Sequence, residues 1–314
     1  MMKCFACGDE DIVPFLRLKA KSEVKSSWGV AFRSRKIFKC RRCGLQFDPA
    51  EENPPLHLQS LYGQDYQDKM TGELEFDSRT GVSSQAIKRI RLLKEYVTCG
   101  RLLDVGCSKG FFIELAREAN YEVFGLDVSE YACGVARRRL AFGADRIEHA
   151  SIKTAGLLNG QKFDVITLWD VLEHVGDPHS ALRRLRNALN AGGLLAIRMP
   201  STSSLFFRIA LGIYIATFGI VQSPLRFLYH MDHRFFFNRV SLERILEKSG
   251  YQIVRMLSDP LGWNRFKYAE LHHGFLMNLM IAGIYWLSRL TGRGHGLITL
   301  AILAEEKKFK EYDP

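Results

Sequence analysis

Leu102-Leu103-Asp104-Val105-Gly106-Cys107-Ser108-Lys109-Gly110 is the stretch around which the rest of this chain is read. Apolar residues lead into an aspartate, and small residues then alternate with larger ones. That pattern predicts a buried strand ending in a tight loop, with a helix opening at Phe111. Glycines in such a loop let the backbone approach a ligand closely, and the helix N-terminus offers unpaired N–H groups. Tyr121-Glu122-Val123-Phe124-Gly125-Leu126-Asp127 follows as a second strand with an acid at its end. An acid about 20 residues beyond a glycine loop can hold the two hydroxyls of a ribose. Together the two segments predict a nucleoside-containing cofactor at the edge of a parallel sheet.

The spacing of the small residues narrows the cofactor. A dinucleotide fingerprint reads Gly-x-Gly-x-x-Gly around a pyrophosphate, whereas here Gly106-x-Ser108-x-Gly110 follows Asp104. A carboxylate beside the loop repels a pyrophosphate and suits an ammonium group. S-adenosylmethionine carries an amino-acid end, a sulfonium and a ribose, and no phosphate. The segment resembles motif I of the class I S-adenosylmethionine-dependent methyltransferases, with Ser108 where that family usually has glycine. The resemblance implies an α/β fold with a Rossmann-like seven-stranded sheet of strand order 3-2-1-4-5-7-6. It also implies cofactor-binding roles for Asp104, Gly106, Ser108 and Gly110 at the loop that holds the methionine end, for Asp127 at the ribose, and for Val128 and Asp170. Ser151 and Ile152 fall where the family recognises the adenine ring, and Asp170 ends the fourth strand.

The remaining strands fall into place along the chain. Ser129 suits an N-cap for a helix from Glu130 to Leu140. Arg146 to Ser151 reads as the third strand and Phe163 to Asp170 as the fourth. Asn190-Ala191-Gly192-Gly193 is expected to break the next helix before a fifth strand, Leu194 to Met199. Ser241 is expected to cap a helix from Leu242 to Lys248, with Tyr251 to Leu257 as strand six. Leu297 to Ala304 is strand seven, which in this family runs antiparallel between five and six.

Two histidines are candidates for the chemistry. Val171-Leu172-Glu173-His174-Val175-Gly176-Asp177-Pro178 resembles the segment after strand four in methyltransferases related to those of ubiquinone biosynthesis. The ends of strands one and four flank the topological switch point, where open sheets bind ligand. The resemblance therefore places His174 near the transferable methyl; by itself the residue is equally a packing or capping histidine. His230-Met231-Asp232-His233, followed by aromatics, lies where the same branch borders its acceptor pocket. His233 suits a general base, or a structural ion pair with Asp232. Glu173-His174 is also similar to a Glu-x-x-Glu-His metal motif of some related O-methyltransferases, with Asp170 in place of the first Glu.

At the N-terminus, Cys4-x-x-Cys7 and Cys40-x-x-Cys43 form two matched knuckles. Four thiolates suit one tetrahedral structural zinc, which makes a zinc ribbon of residues 1–50. Trp28, Val30, Phe32, Ile37 and Phe38 between the pairs alternate like short strands. So thin a module needs its metal to fold. Cys99, Cys107 and Cys133 sit among apolar neighbours and read as packing. Residues 51–82, with Asn53-Pro54-Pro55 and a Tyr-rich stretch near Tyr62 and Tyr66, read as a linker and cofactor-proximal segment. Residues 83–314 form the methyltransferase domain. Similar ribbons occur in methyltransferases of sugar-modifying pathways.

Composition sets the outer limits. Of 314 residues, 47% are hydrophobic and 25% charged, ordinary for a folded chain. Met1-Met2-Lys3-Cys4-Phe5 has no apolar leader pattern, so a cytoplasmic setting with reduced thiols is expected. A formal net charge of +10, spread over several basic clusters, suits an anionic membrane face or a nucleic acid as well as plain solvation. Two insertions, 201–240 and 259–295, hold the apolar runs Leu205 to Val221 and Phe275 to Leu290. Both are shorter than the about 20 residues of a spanning helix. They fit peripheral attachment to the inner membrane face, a buried lid, or a homodimer seam. The expected reaction is methyl transfer to an oxygen or carbon of a glycan, lipid-linked sugar or lipid-like acceptor. The alternative is modification of RNA or protein gripped by the ribbon and the basic helices.

Overall fold

The structure, a computed structural model, describes residues 2–19, 34–49, 82–229, 233–259 and 275–304. The expectations that fall on Trp28, Val30 and Phe32, on the linker 51–81, on His230 to Asp232 and on residues 260–274 lie outside the described residues.

At the N-terminus, β1 (Ile12–Leu18) runs antiparallel to β2 (Arg35–Cys40), with Ile12 opposite Cys40 and Leu18 opposite Arg35. The short β3 (Gln46–Phe47) continues the sheet antiparallel to β2. Each cysteine knuckle closes on a glycine in the left-handed region, Gly8 at φ +77° and Gly44 at φ +73°. Their N–H groups donate to the carbonyls of Cys4 and Cys40 at 2.8 and 2.9 Å. A side chain at either glycine would strain that reversal.

The larger part of the chain alternates helix and strand. Its elements are α1 (Val82–Lys94), β4 (Gly100–Val105), α2 (Phe111–Glu118), β5 (Tyr121–Asp127), α3 (Glu130–Leu140), β6 (Ile147–His149), β7 (Phe163–Trp169), α4 (Pro178–Ala188) and β8 (Leu189–Pro200). After the first insertion, with α5 (Leu205–Ala216), α6 (Ser223–Leu228) and β9 (Phe235–Phe236), come α7 (Arg239–Lys248), β10 (Tyr251–Asp259), α8 (Phe275–Leu290) and β11 (Gly296–Leu303). Seven strands form one sheet in the order β6-β5-β4-β7-β8-β11-β10. The first five are parallel, and β11 runs antiparallel between β8 and β10. That is the expected order 3-2-1-4-5-7-6.

Strand alternation supplies both layers of the core. Leu103, Val105, Leu126 and Leu168 face α4 and α7, packing with Leu182, Leu185, Leu242 and Ile245. Leu102, Val123 and Val165 face the other way, onto Ile90 and Leu93 of α1, Ile113 of α2 and Ala136 of α3.

Several boundaries differ from the sequence reading. Asn190 to Gly193 does not separate helix from strand: α4 ends at Ala188, and β8 begins at Leu189, which pairs with Phe163. The four residues bulge out before Leu194 pairs with Val165, with Gly192 at φ +74°. Helix α7 starts at Arg239 because Asn238, not Ser241, is its N-cap; Ser241 is the third residue of a capping box. The first apolar run breaks at Ala216 instead of continuing to Val221. Cys107 and Cys133 are buried as expected, but Cys99 is exposed.

The ribbon is stitched into the sheet domain. β9, from the first insertion, pairs with β3, Phe47 opposite Phe235 and Gln46 opposite Phe236. Phe5 meets the rings of Phe47 and Phe235 edge-on at 5.4 and 4.9 Å. The inner faces of α5 and α6 bury Phe207, Ala210, Leu225 and Leu228 against Leu16, Leu18 and Ile37 of the ribbon. Among the described residues, no helix is long and apolar enough to cross a membrane.

Candidate functional site

The carboxyl ends of β4, β5, β6 and β7 lie side by side, and the loop after β4 is tight. Gly106, Ser108 and Gly110 all take left-handed backbone conformations, at φ +79°, +49° and +81°. A Cβ on Gly106 would sit 2.4 Å from Cγ2 of Val171, and one on Gly110 would sit 3.0 Å from Cβ of Ala136. The loop is therefore clamped between the segment after β7 and helix α3. Ser108 adopts a glycine's conformation, which costs an L-residue about 1 kcal/mol. Its N–H donates to Oδ2 of Asp127 at 2.8 Å, which helps hold it there.

Asp127 joins the loop to the next helix. Its Oδ1 accepts from the N–H of Ser129 at 2.8 Å, while Ser129 Oγ caps α3 by accepting from Ala132 N. A carboxylate offers about four lone-pair sites, so this geometry leaves acceptor capacity for ribose hydroxyls. Burial pushes the Asp127 carboxyl up, opposed by these N–H donors. Asp104 is placed differently. It is buried beneath the loop, where Thr167 Oγ1 donates to its Oδ1 at 2.6 Å. Burial pushes its pKa up to about 7, against the lowering effect of the Thr167 hydrogen bond. Asp104 thus supports the loop from below.

The other expected cofactor residues line the same edge. Val128 is exposed beside Asp127, and His149 Nε2 lies 3.1 Å from its carbonyl. Ala150 N donates to the Asp127 carbonyl at 3.0 Å and leads into Ser151 and buried Ile152. Ser151 N donates to Thr154 Oγ1 at 3.2 Å, so this segment turns back on itself. Asp170, at φ +60°, directly follows β7. Its Oδ1 is gripped by the buried Arg198, whose Nε also donates to Asp259 at 2.9 Å.

Facing this edge, the turn after β7 carries Glu173 and His174. The Glu173 carbonyl accepts from Arg234 N at 2.9 Å and from Phe235 N at 3.1 Å. That pairing brings His233 across from His174, with ring centroids 4.6 Å apart and planes at 87°. Ligand atoms of Glu173, His174 and His233 lie within 4.8 Å of one another.

The ribbon holds His233 in place. Arg35, buried on β2, donates from Nε to Asp48 Oδ2 at 2.8 Å and from one terminal nitrogen to the Tyr229 carbonyl at 3.3 Å. Its other terminal nitrogen donates to the His233 carbonyl at 2.6 Å. Asp48 N donates in turn to the Arg234 carbonyl at 3.0 Å. One planar guanidinium thus fixes both ends of the 229–233 segment.

Arg35, Asp48 and Arg198 were not singled out from sequence. A signal for two of them existed. Arg35 shares the inward phase of Ile37 on a two-residue period, and Arg198 interrupts an otherwise apolar strand between Leu194 and Met199.

The four ribbon cysteines converge as expected. Cys4 and Cys43 sulfurs are 3.5 Å apart, as are those of Cys7 and Cys40, and all four lie within 4.8 Å. These are not disulfide distances. Tetrahedral zinc with about 2.3 Å bonds to sulfur needs sulfurs about 3.8 Å apart, so the donor set fits that ion. The hydrogen bond with Cys43 draws the Cys4 thiol down to about 5, while burial pushes Cys40 up to about 11.

Comparison with known proteins agrees with this geometry. Residues 80–256, more than half of the chain, match the methyltransferase domain family. A ubiquinone biosynthesis O-methyltransferase of Aromatoleum aromaticum is 36% identical over 95 residues, 30% of this chain and 41% of that protein. Its counterpart from Sinorhizobium fredii is 27% identical over 181 residues, 55% of this chain and 70% of that protein. The crystal structure of magnesium protoporphyrin IX methyltransferase from Synechocystis, with bound SAH, superposes with a TM-score of 0.51 at 16% identity. That match covers 79% of this chain and 99% of the other, and shows a shared fold. With the strand order, the clamped loop and the acid-ended strands in place, the chain belongs to the methyltransferase domain family and is of the class I, S-adenosylmethionine-dependent kind.

Proposed function

We propose that this protein methylates an oxygen of a lipid-linked glycan or similar lipid-like acceptor, with His174 or His233 removing the acceptor proton. The observation that carries the reading is the pair of facing imidazoles, 4.6 Å apart, beside the cofactor edge at the switch point. S-adenosylmethionine, when bound, supplies a methyl group on a sulfonium. Asp127 and Val128 hold its ribose end, Ser151 and Ile152 border the adenine, and Asp170 completes the wall. The loop 106–110, supported by Asp104, receives the methionine end. As the acceptor oxygen forms its bond to the methyl carbon and the carbon–sulfur bond breaks, the acceptor proton passes to imidazole nitrogen. Arg35 acts through the His233 backbone as a positioning residue. Most of the acceleration comes from alignment and exclusion of water.

Cys4, Cys7, Cys40 and Cys43 hold one structural zinc in this reading. Four protein ligands leave no open coordination position, so the ion takes no part in methyl transfer.

The apolar insertions support a lipid-like acceptor over RNA. On the ribbon, exposed Arg42 and Arg41 pair with Asp9 and Asp11 at 3.2 and 3.9 Å, which reduces their freedom to grip phosphates. A labelled-methyl transfer assay against lipid, glycan and RNA fractions tests the acceptor class. Label should enter the lipid fraction, and His174→Ala or His233→Ala should abolish it. Label in RNA alone, or full turnover in both single variants, overturns the reading. Glu173, His174 and His233 also suit a divalent cation by composition. Turnover that survives chelation, with the ribbon metal retained, assigns the imidazoles to proton transfer.

A further inference from the structure

We infer that the turn from Thr217 to Val221, together with the outer face of α8, docks the protein on an anionic lipid bilayer. The inference extends the reading of a lipid-linked acceptor. Its test measures vesicle binding rather than methyl transfer, so either can fail alone.

The turn is built to display apolar side chains. Phe218 is 95% exposed at φ +50°, and Ile220 is 83% exposed. A bulky residue held in the left-handed region with almost all of its ring in water gains nothing from the fold. Yet the turn is firmly made. Gly219 N donates to the Tyr214 carbonyl at 2.8 Å, and Ile220 N to the Thr217 carbonyl at 2.9 Å. Thr217 Oγ1 donates to the Ile213 carbonyl at 2.8 Å and accepts from Val221 N at 3.1 Å. Gln222 Nε2 donates to the Gly219 carbonyl at 2.8 Å. The tip is thus pre-shaped, and its exposure is not a frayed helix end.

Helix α8, which packs against α5, repeats the arrangement. Tyr285 and Ser288 turn inward, while Trp286 is 60% and Leu290 83% exposed, with Leu287 between them. Tryptophan with neighbouring arginine is the composition of a membrane interface.

Charge selects the partner. Residues 201–231 and 271–304 contain no Asp or Glu, but they carry Arg208, Arg226, Arg289 and Arg293. Lys19 joins them from the ribbon, its N–H donating to Gln222 Oε1 at 3.0 Å while Arg226 donates to its carbonyl. An apolar tip on segments whose four arginines pair with no acid among the described residues, with Arg226 and Lys19 beside the turn, matches acyl chains under anionic headgroups. The inner faces of both helices do not take part. Phe207 is buried on the ribbon, and Phe206 packs partly beside it.

Flotation of the full chain with phosphatidylcholine vesicles, and with phosphatidylcholine–phosphatidylglycerol vesicles, tests the inference. Wild type should float with the anionic vesicles only and come off as salt is raised. The double variant Phe218→Asn, Ile220→Ser should bind at least tenfold more weakly, with its melting temperature and S-adenosylmethionine affinity unchanged. Asparagine tolerates the left-handed conformation, so the turn survives the change. Absence of wild type from anionic vesicles, or undiminished flotation of the double variant, overturns the proposal. So does a wild-type dimer in light scattering that the same two changes make monomeric, because the face then belongs to a second copy.

Discussion

Between Asp104 and Ser129, the bank proposed to hold the methionine and ribose ends of the cofactor is one continuous stretch of chain. Hydrogen bonds from Gly106, Cys107 and Ser108 to the end of β5 close it. The bank facing it takes His174 from one loop and His233 from another, and is tied by Arg35 and Asp48 of the ribbon. The first bank is a property of strand–loop–helix geometry and belongs to any sheet of this kind. The second exists only because β9 leaves the sheet domain to complete the ribbon sheet. On the proposed reading, cofactor chemistry is carried by local sequence, and acceptor chemistry by assembly between distant segments.

If the second bank depends on the ribbon, removing the ribbon metal has the largest effect. Structural zinc in small domains contributes on the order of 10 kcal/mol or more to folding. Chelation should speed hydrogen exchange in residues 229–237 well before residues 102–127, and should abolish turnover while S-adenosylmethionine still binds. Uniform exchange across both regions would break the comparison.

A smaller effect is expected at the tie itself. Arg35→Met removes the buried Arg35–Asp48 ion pair, and breaking one partner of such pairs costs up to about 3–5 kcal/mol, readable by urea denaturation. In the surviving folded fraction, turnover should fall more than cofactor affinity. The reverse order of losses would place Arg35 in general stability alone.

The cofactor bank carries its own pH signature. Burial holds Asp104 at about 7, against about 3.9 in an unfolded chain. Between those values the folded chain keeps a proton that the unfolded chain has lost. Stability therefore falls as pH rises from about 4 to about 7, by at most about 1.4 kcal/mol per unit. Asp104→Asn should remove that part of the slope in thermal melts.

The smallest change concerns Ser108. Ser108→Gly relieves the left-handed strain, but the freer unfolded chain offsets part of it, so stability should rise by less than about 1 kcal/mol. The contact to Asp127 comes from the backbone N–H and should persist.

These contrasts also explain what the sequence made legible. The glycine loop and Asp127 could be read because their hydrogen-bond partners lie within one supersecondary unit, Asp104 because it directly precedes that loop although its own partner Thr167 lies on β7, and the cysteines because their spacing states the geometry. The alternation of strands and helices was legible as a pattern, and the strand order followed from the family resemblance. Arg35 reads as one more member of a basic run, since its partner His233 is 198 positions away. Arg198 likewise acts between Asp170 and Asp259, which no local pattern connects. The apolar runs were legible as unusual. Which residues turn inward was fixed only when Phe207 and Leu225 met the ribbon.

The division between the two banks is tested most directly by calorimetric titration of S-adenosylmethionine. The proteins to compare are wild type, Asp127→Ala and the double variant His174→Ala, His233→Ala. Loss of a buried charged partner costs roughly 1–3 kcal/mol, so Asp127→Ala should bind at least about tenfold more weakly. The double histidine variant should bind nearly as wild type does while losing turnover. Unchanged affinity in folded Asp127→Ala, or an equal loss in the histidine variant, would contradict the account.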